Sequence, residues 1–428
     1  MRTFDIPKRY SSPVIGRLKA MRSAEDPRKQ DVAPAVMDFG GVEWIIPRHF
    51  GFCFGVENAI EIVHQAIAAH PDKRIFLLSQ MIHNPVVNDD LEAQGVRFLH
   101  DTEGRELTPF SVLTSEDVVI IPAFGTTVEM EARLREIGLD IEKYNTTCPF
   151  VERVWKRSAK LGAGDFTVVI HGKPGHEETR ATFSHACATG HALVVCDREE
   201  AEVLAEFISG RRELAGDPAA GLESFDALFG ERTSKGFSAA LHLQRIGVVN
   251  QTTMLATETQ AIADLLKTAV EARESMGSFS SARDTLCYAT VDNQKATLAA
   301  LEHADKVGAD LALVVGGFNS SNTSHLVELC EERLPTYFIS GAEALADDGS
   351  IDHFELASSK LMNSNGVLVP RADGSKLRIV LTSGASCPDA SVDAVLQRVN
   401  ALCDGGRDVD EVLSKIEPIQ PVEPKLRS

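Results

Sequence analysis

One local plan recurs through the middle of the chain. A short apolar or β-branched run is followed by a small polar loop, and then by an amphipathic stretch of helical period. RIFLLSQ precedes IHNPVVND, FTVVIHG precedes KPGHEETR, and LALVVGG precedes FNSSNTSH. A second set runs VVIIPA before FGTTVEM, RIGVVN before QTTMLAT, and LRIVLT before SGASCPD. Strands joined by helices pair in parallel, and a parallel sheet is covered on both faces. Right-handed crossovers then put every post-strand loop at the carboxyl edge, where open α/β sheets bind ligands.

A third set places a cysteine between strand and helix in each third of the chain: Cys53, Cys148 and Cys287. The distance from cysteine to the next polar loop is similar each time: 30 residues from Cys53 to His83, 28 from Cys148 to His176, and 33 from Cys287 to Ser320. No strong letter-by-letter repeat accompanies this, so the repeat is architectural. The fold class expected is α/β, built from three pseudo-symmetric small α/β domains with parallel-type sheets. A length of 428 residues agrees with that count at roughly 150 residues per domain. The boundaries read as 41–146, 147–285 with an insertion near 197–240, and 286–404 with an insertion near 341–378.

The two ends differ from this plan. Residues 1–40 have no strong period and read as an N-terminal extension lying on the surface. Their first 24 residues carry six Lys/Arg against one Asp, a faint resemblance to a transit peptide, and they contain no signal-peptide apolar core. Residues 405–428 read as an extended, Pro-containing charged tail. The net charge of −19 argues against a nucleic-acid binder that relies on bulk charge. No apolar run approaches the roughly 18 residues of a membrane helix. Eight sparse cysteines without a C-x-x-C pair exclude a disulfide scaffold and point to a reducing, cytoplasmic compartment.

A cysteine just ahead of a helix sits near backbone N–H groups that favour thiolate. Three such thiolates meeting at one point suit zinc or an iron–sulfur cluster. A cluster held by three cysteines would leave one iron open to act as a Lewis acid. The competing reading is three unrelated structural cysteines. Cys187, Cys196, Cys330 and Cys403 read as small core residues, and Cys387 is set apart only by lying beside Ser386. The polar loops carry Thr252, Thr253, Ser320, Ser321, Asn322 and Ser386, donors suited to an anion at helix N-termini. Taken singly, each is equally an ordinary helix cap. His83 and His176 lie in comparable loops. Glu177 and Glu178 follow His176, and one of these carboxylates could give a proton if its environment raises its pKa.

With these residues assembled, the chain resembles the family of 4-hydroxy-3-methylbut-2-enyl diphosphate reductases, the LytB family, in a plant- and cyanobacterial-like form. The matching segments are GFCFGVENAI, MIHNPVVNDDL, NTTCPFVERV, HGKPGHEETRATF, VVNQTTM, LCYAT, VVGGFNSSNTSHL and TSGASCPD, in the family's order from about residue 42 to 400. The resemblance implies a trefoil of three domains around one [4Fe-4S] cluster, with Cys53, Cys148 and Cys287 as ligands and one open iron. It implies that His83, His176, Thr252, Ser320, Ser321, Asn322 and Ser386 surround the substrate, with the choice between Thr252 and Thr253 open by one position. Glu178 would relay the proton. The reaction implied is reductive removal of an allylic hydroxyl, giving isopentenyl and dimethylallyl diphosphates with electrons from a ferredoxin or flavodoxin. No nucleic acid or membrane is implied as a partner. One departure is Phe124, which stands where many members have a histidine. Lys173, and beside it His171, are the nearest candidates for the missing donor. Two other readings remain: a three-cysteine cluster lyase resembling quinolinate synthase, and a phosphate-ligand-binding protein without redox chemistry.

Overall fold

The computed structural model describes residues 4–28, 30–217, 220–273, 277–281 and 285–416. Most of the expected tail, residues 417–428, lies outside these. The described residues form two compact units. The first lies within Met1–Glu57, His83–Val86 and Tyr288–Ser428, and the second within Asn58–Ile82 and Val87–Cys287.

Three sheets carry the architecture. In the second unit, β3 (Ile75–Leu77), β4 (Arg97–Phe98) and β5 (Val118–Ile120) form a parallel sheet in the order β4-β3-β5. The same unit contains β6 (Thr167–His171), β7 (Ala192–Val195), β8 (Arg245–Asn250) and β9 (Ser278–Ser281), also parallel, in the order β7-β6-β8-β9. β6 and β7 are buried at every position, as strands covered on both faces must be.

The first unit holds a seven-stranded sheet. Its parallel centre is β2 (Val42–Ile46), β14 (Leu377–Ser383), β10 (Leu311–Val315) and β11 (Thr336–Ile339). Antiparallel strands close both sides: β1 (Ala35–Asp38) against β2, and the hairpin β12 (Ile351–Glu355) and β13 (Lys360–Ser364) beyond β11. The hairpin is what the expected insertion at 341–378 builds.

β2 differs from its sequence placement. It precedes Cys53 and was grouped with the first third, yet it pairs with β14 in the register Val42↔Leu377 to Ile45↔Val380. Its side chains are almost wholly buried, so only a central position in a covered sheet suits it. Local pattern carries no information about a partner so distant in sequence.

The expectation of a surface-lying N-terminal segment is corrected. The helix Ile15–Glu25 is part of the first unit's core, with Ile15 and Leu18 fully buried alongside Trp44, Phe50 and Val395. Only two apolar positions, with the buried Arg22, make up its inner stripe, which is too few to show a period. Arg22 Nη2 is held there by Asp31 at 2.7 Å and by the Ala33 carbonyl at 2.7 Å, while its buried Nε has no hydrogen-bond partner among the described residues. Among the described residues no helix is long and apolar enough to cross a membrane.

Candidate functional site

In the second unit the post-strand loops of both sheets carry candidate residues. β6 ends at His171, and the loop 172–176 leads into the helix Glu177–Cys187. His176 caps that helix: its Nδ1 accepts the backbone N–H of Glu178 at 3.2 Å. Nδ1 is therefore the unprotonated nitrogen of the neutral ring, and Nε2 is the donor. Glu178 is buried, and its carboxyl group meets the loop after β8. Oε1 accepts the backbone N–H of Thr252 at 2.6 Å, and Oε2 accepts the Thr252 hydroxyl at 2.9 Å. Burial raises its pKa to about 7 against the pull of these two bonds, so at neutral pH it exists in both protonation states. Thr253 faces elsewhere, accepting from Gln251 Nε2 at 2.6 Å. Of the two threonines, Thr252 is the one bonded to Glu178.

The two second-unit cysteines attach to this same set. The Cys287 N–H donates to the Thr252 carbonyl at 3.3 Å, and the Cys148 N–H donates to the Ala123 carbonyl at 3.0 Å. The next residue, Phe124, meets the His176 ring edge-to-face at 5.6 Å. Gly125 makes this placement possible: it has φ +76°, and a Cβ there would lie 2.4 Å from the Trp155 ring. Phe124 therefore packs against His176.

Of the two residues expected to replace the donor missing at Phe124, His171 is occupied. It is wholly buried, with Nδ1 at 3.0 Å from Thr259 Oγ1 and Nε2 at 3.8 Å from Glu258. Lys173 is exposed, its backbone N–H held by Gln251 Oε1 at 3.1 Å. Gln251 also accepts from Thr179 at 3.0 Å. It ties the loop after β8 to the loop after β6, a linking role that sequence reading missed because no motif marks it.

The first unit gathers the remaining polar residues at the ends of β10 and β14. Ser320 caps the helix Ser321–Glu331, its Oγ accepting the Thr323 N–H at 3.3 Å. Asn322 Oδ1 accepts the Ala385 N–H at 2.8 Å, and Ser386 Oγ donates to the His83 carbonyl at 3.1 Å. The Asn322 bond fixes its amide so that Nδ2 is the remaining donor. Asn322 Nδ2 and Ser321 Oγ are both buried without a hydrogen-bond partner. Leaving such groups unsatisfied costs about 1–3 kcal/mol each, so a site of this kind is completed by a ligand. Cys53 joins the same loops, its N–H donating to the Ala385 carbonyl at 3.3 Å.

Each of the three cysteines singled out by spacing immediately precedes a helix: Phe54–Ala69, Pro149–Gly162 and Tyr288–Val307. Burial pushes the Cys53 thiol up, while the N–H groups of Val56 and Gly55 pull it back. Helix N-terminal N–H groups facing a sulfur suit a thiolate ligand, although at Cys53 burial outweighs them and the net direction is upward. Four of the others are raised by burial together with a nearby carboxylate, Cys330 and Cys387 to about 12, Cys187 and Cys403 to about 11. These remain thiols. None of the eight is in a disulfide. Among the described residues no group of three or more His, Cys, Asp or Glu could hold a single metal ion. The cysteines of a cluster each bind a different iron, which is a different requirement. Cys53 lies in the first unit, and Cys148 and Cys287 lie in the second.

Comparison with known proteins adds the following. Residues 45–400 match the family model described as LytB protein. A Prochlorococcus marinus protein named 4-hydroxy-3-methylbut-2-enyl diphosphate reductase is 38% identical over 378 residues, 86% of this chain and 88% of the relative. A Gloeobacter violaceus protein of the same name is 36% identical over 366 residues, 84% of this chain and 83% of the relative. The fold is similar to a solved structure of the E-1-hydroxy-2-methyl-but-2-enyl-4-diphosphate reductase from Plasmodium falciparum. That likeness has a TM-score of 0.57 at 18% identity, covering 82% of this chain and 86% of that one.

Proposed function

This chain belongs to the LytB family, and we propose that it reduces (E)-4-hydroxy-3-methylbut-2-enyl diphosphate to isopentenyl and dimethylallyl diphosphates, the last step of the non-mevalonate isoprenoid route. Two electrons and two protons replace the allylic C–O bond by C–H, and the hydroxyl leaves as water. Protonation at either end of the allylic unit gives the two isomers. The family match over residues 45–400 does not favour a quinolinate-synthase-like lyase or a non-redox phosphate binder.

The family's iron–sulfur character fits the donor set described above. Cys53, Cys148 and Cys287 would each hold one iron of a [4Fe-4S] cluster, leaving the fourth iron open. When bound, that group supplies electrons singly and a Lewis acid for the hydroxyl oxygen. The electrons come from a one-electron carrier protein, a ferredoxin or flavodoxin. The eight free cysteines support a reducing compartment such as the cytoplasm.

The chain's own residues bind the substrate and move the proton. Ser320, Ser321, Asn322, Ser386 and His83 receive the diphosphate, with Ser321 Oγ and Asn322 Nδ2 supplying donors that have no other partner among the described residues. The helix Ser321–Glu331 adds its positive end. An acidic chain thus holds a dianion through neutral donors. His176 presents Nε2–H, fixed in tautomer by its cap and in orientation by Phe124. Lys173, exposed at the loop after β6, supplies the cation that compensates for Phe124.

Glu178 carries the proton, and the observation behind this reading is its burial against Thr252 with a pKa near 7. A carboxyl group poised at operating pH can give its proton to a leaving oxygen and be recharged between turnovers. Thr252 Oγ1 donates to the carboxylate, and once the carboxyl group is protonated the hydroxyl would turn to accept from it and pass the proton on. The test is anaerobic turnover of the hydroxylated allylic diphosphate with a chemical reductant. Both five-carbon diphosphates should appear with loss of one hydroxyl per two electrons. No product from protein with its iron and sulfide intact would contradict the proposal.

A further inference from the structure

Residues 4–26 lie ahead of the matched family region and take no part in the chemistry above. They are nevertheless built into the first unit. Ser12 Oγ accepts the N–H groups of Val14 at 3.2 Å and Ile15 at 2.8 Å, which starts the helix Ile15–Glu25. Arg48 donates back to the Arg22 carbonyl at 3.2 Å.

Beside its packing in the first unit's core, this segment contacts alternate positions of the Cys53 loop. Lys19 Nζ donates to the Phe50 carbonyl at 2.8 Å and to Asp389 Oδ1 at 2.6 Å. The same ammonium stands 4.4 Å from the centre of the Phe50 ring. Tyr10 meets the Phe52 ring at 6.0 Å and 70°, and Phe4 meets the Phe54 ring at 5.0 Å and 75°. Phe50, Phe52 and Phe54 thus each take one partner from the N-terminal segment, and Cys53 sits between the last two. Gly51, at φ +74°, lies so close beneath the Lys19–Asp389 pair that a Cβ would be 2.6 Å from Asp389 Oδ1 and 2.8 Å from Lys19 Nζ. The pair is three-quarters buried, so solvent screens it only in part.

We propose that residues 4–26 are a brace that fixes the Cys53 loop and covers its flank, with Lys19 as the positioning residue. A loop bound on one side only by the Ala385 carbonyl would sample many conformations. Two ring–ring contacts and one ammonium shared between the Phe50 carbonyl, the Phe50 ring and Asp389 restrict these before any iron arrives. The segment therefore acts on how fast the Cys53 thiol can be reached, and, given Cys53 as an iron ligand, on how slowly the bound cluster is lost. That second consequence rests on the function proposed above; the first does not.

The test uses full-length, metal-free protein prepared without oxygen. Alkylation of each cysteine by iodoacetamide is followed by peptide mass spectrometry, with the half-buried Cys196 as internal reference. Lys19→Ala should speed Cys53 alkylation roughly three- to tenfold, as expected for loss of a charge-assisted contact that restrains local opening. Cys196 should be unchanged, and Lys19→Arg should restore most of the protection. If Lys19→Ala does not melt cooperatively, Phe4→Ala, at the edge of the brace, serves instead and should give a smaller acceleration. Unchanged Cys53 rates in a folded variant would overturn the brace. In the loaded protein, Lys19→Ala should shorten the lifetime of the visible cluster absorbance in air. A Cys53→Ala protein that keeps its full iron content would remove the ligand premise while leaving the alkylation result to stand.

Discussion

Glu178 and Thr252 are joined twice, through the backbone N–H at 2.6 Å and the hydroxyl at 2.9 Å, although one stands in the first turn of the helix after β6 and the other in the loop after β8. The pairing satisfies both carboxyl oxygens in a site closed to solvent. It also links the proton-carrying residue to Cys287, whose N–H donates to the carbonyl of the same threonine. A change at Thr252 therefore reaches both the proton and the cysteine loop.

The raised pKa of Glu178 has a consequence for stability, with a definite sign. The unfolded carboxyl group loses its proton near 4.5, whereas the folded one keeps it to about 7. Between those values the native state binds more protons, so stability falls as pH rises and levels off above about 7. Glu178→Gln lacks this dependence. Thermal or denaturant unfolding at pH 5 and pH 8 should show wild type losing a few kcal/mol relative to the variant. Parallel stability curves would show that the carboxyl group ionises equally in both states.

Ser321→Ala should separate stability from binding. The hydroxyl is buried without a partner, so its removal should leave the stability of ligand-free protein unchanged or slightly higher. The KM for the diphosphate should rise about tenfold, corresponding to about 1.4 kcal/mol for one lost donor. Asn322→Asp keeps the acceptor for the Ala385 N–H while replacing Nδ2 by charge, and should weaken binding further.

Serine in place of Cys53, Cys148 or Cys287 should each abolish the cluster, read as iron and sulfide per chain after anaerobic preparation. Alanine at Cys330 or Cys403 should leave iron content intact and cost about 1 kcal/mol of stability, since each is a small buried group. Full iron content in any one of the first three variants would remove that residue from the ligand set.

Lys173→Ala should raise KM several-fold with kcat little changed, because an exposed, flexible cation contributes to binding in ground and transition states alike. Unchanged affinity would mean that Phe124 is tolerated without a compensating donor.

The strand–loop–helix units were legible because a doubly covered strand must be apolar along its covered length, as LALVV is and as IGVV is within RIGVVN, and because polar loops interrupt them sharply. The three helix-preceding cysteines were legible from the same punctuation. What escaped were relations between distant segments. Val42 pairs with Leu377, and Lys19 bonds to Asp389; neither partner leaves a local trace. The Ile15 helix hides its inner stripe behind a buried arginine. At Phe124 the sequence showed a missing donor, and only coordinates reveal the ring seated against His176.

The most direct measurement is turnover of Glu178→Gln with a chemical reductant under anaerobic conditions, alongside its iron content and its affinity for the substrate. The amide preserves size and can still accept from Thr252, but has no proton to give. Iron content and affinity within about twofold of wild type, with kcat reduced by a factor on the order of a hundred or more, is the predicted result. A variant that turns over at the wild-type rate would contradict the assignment of the proton to Glu178.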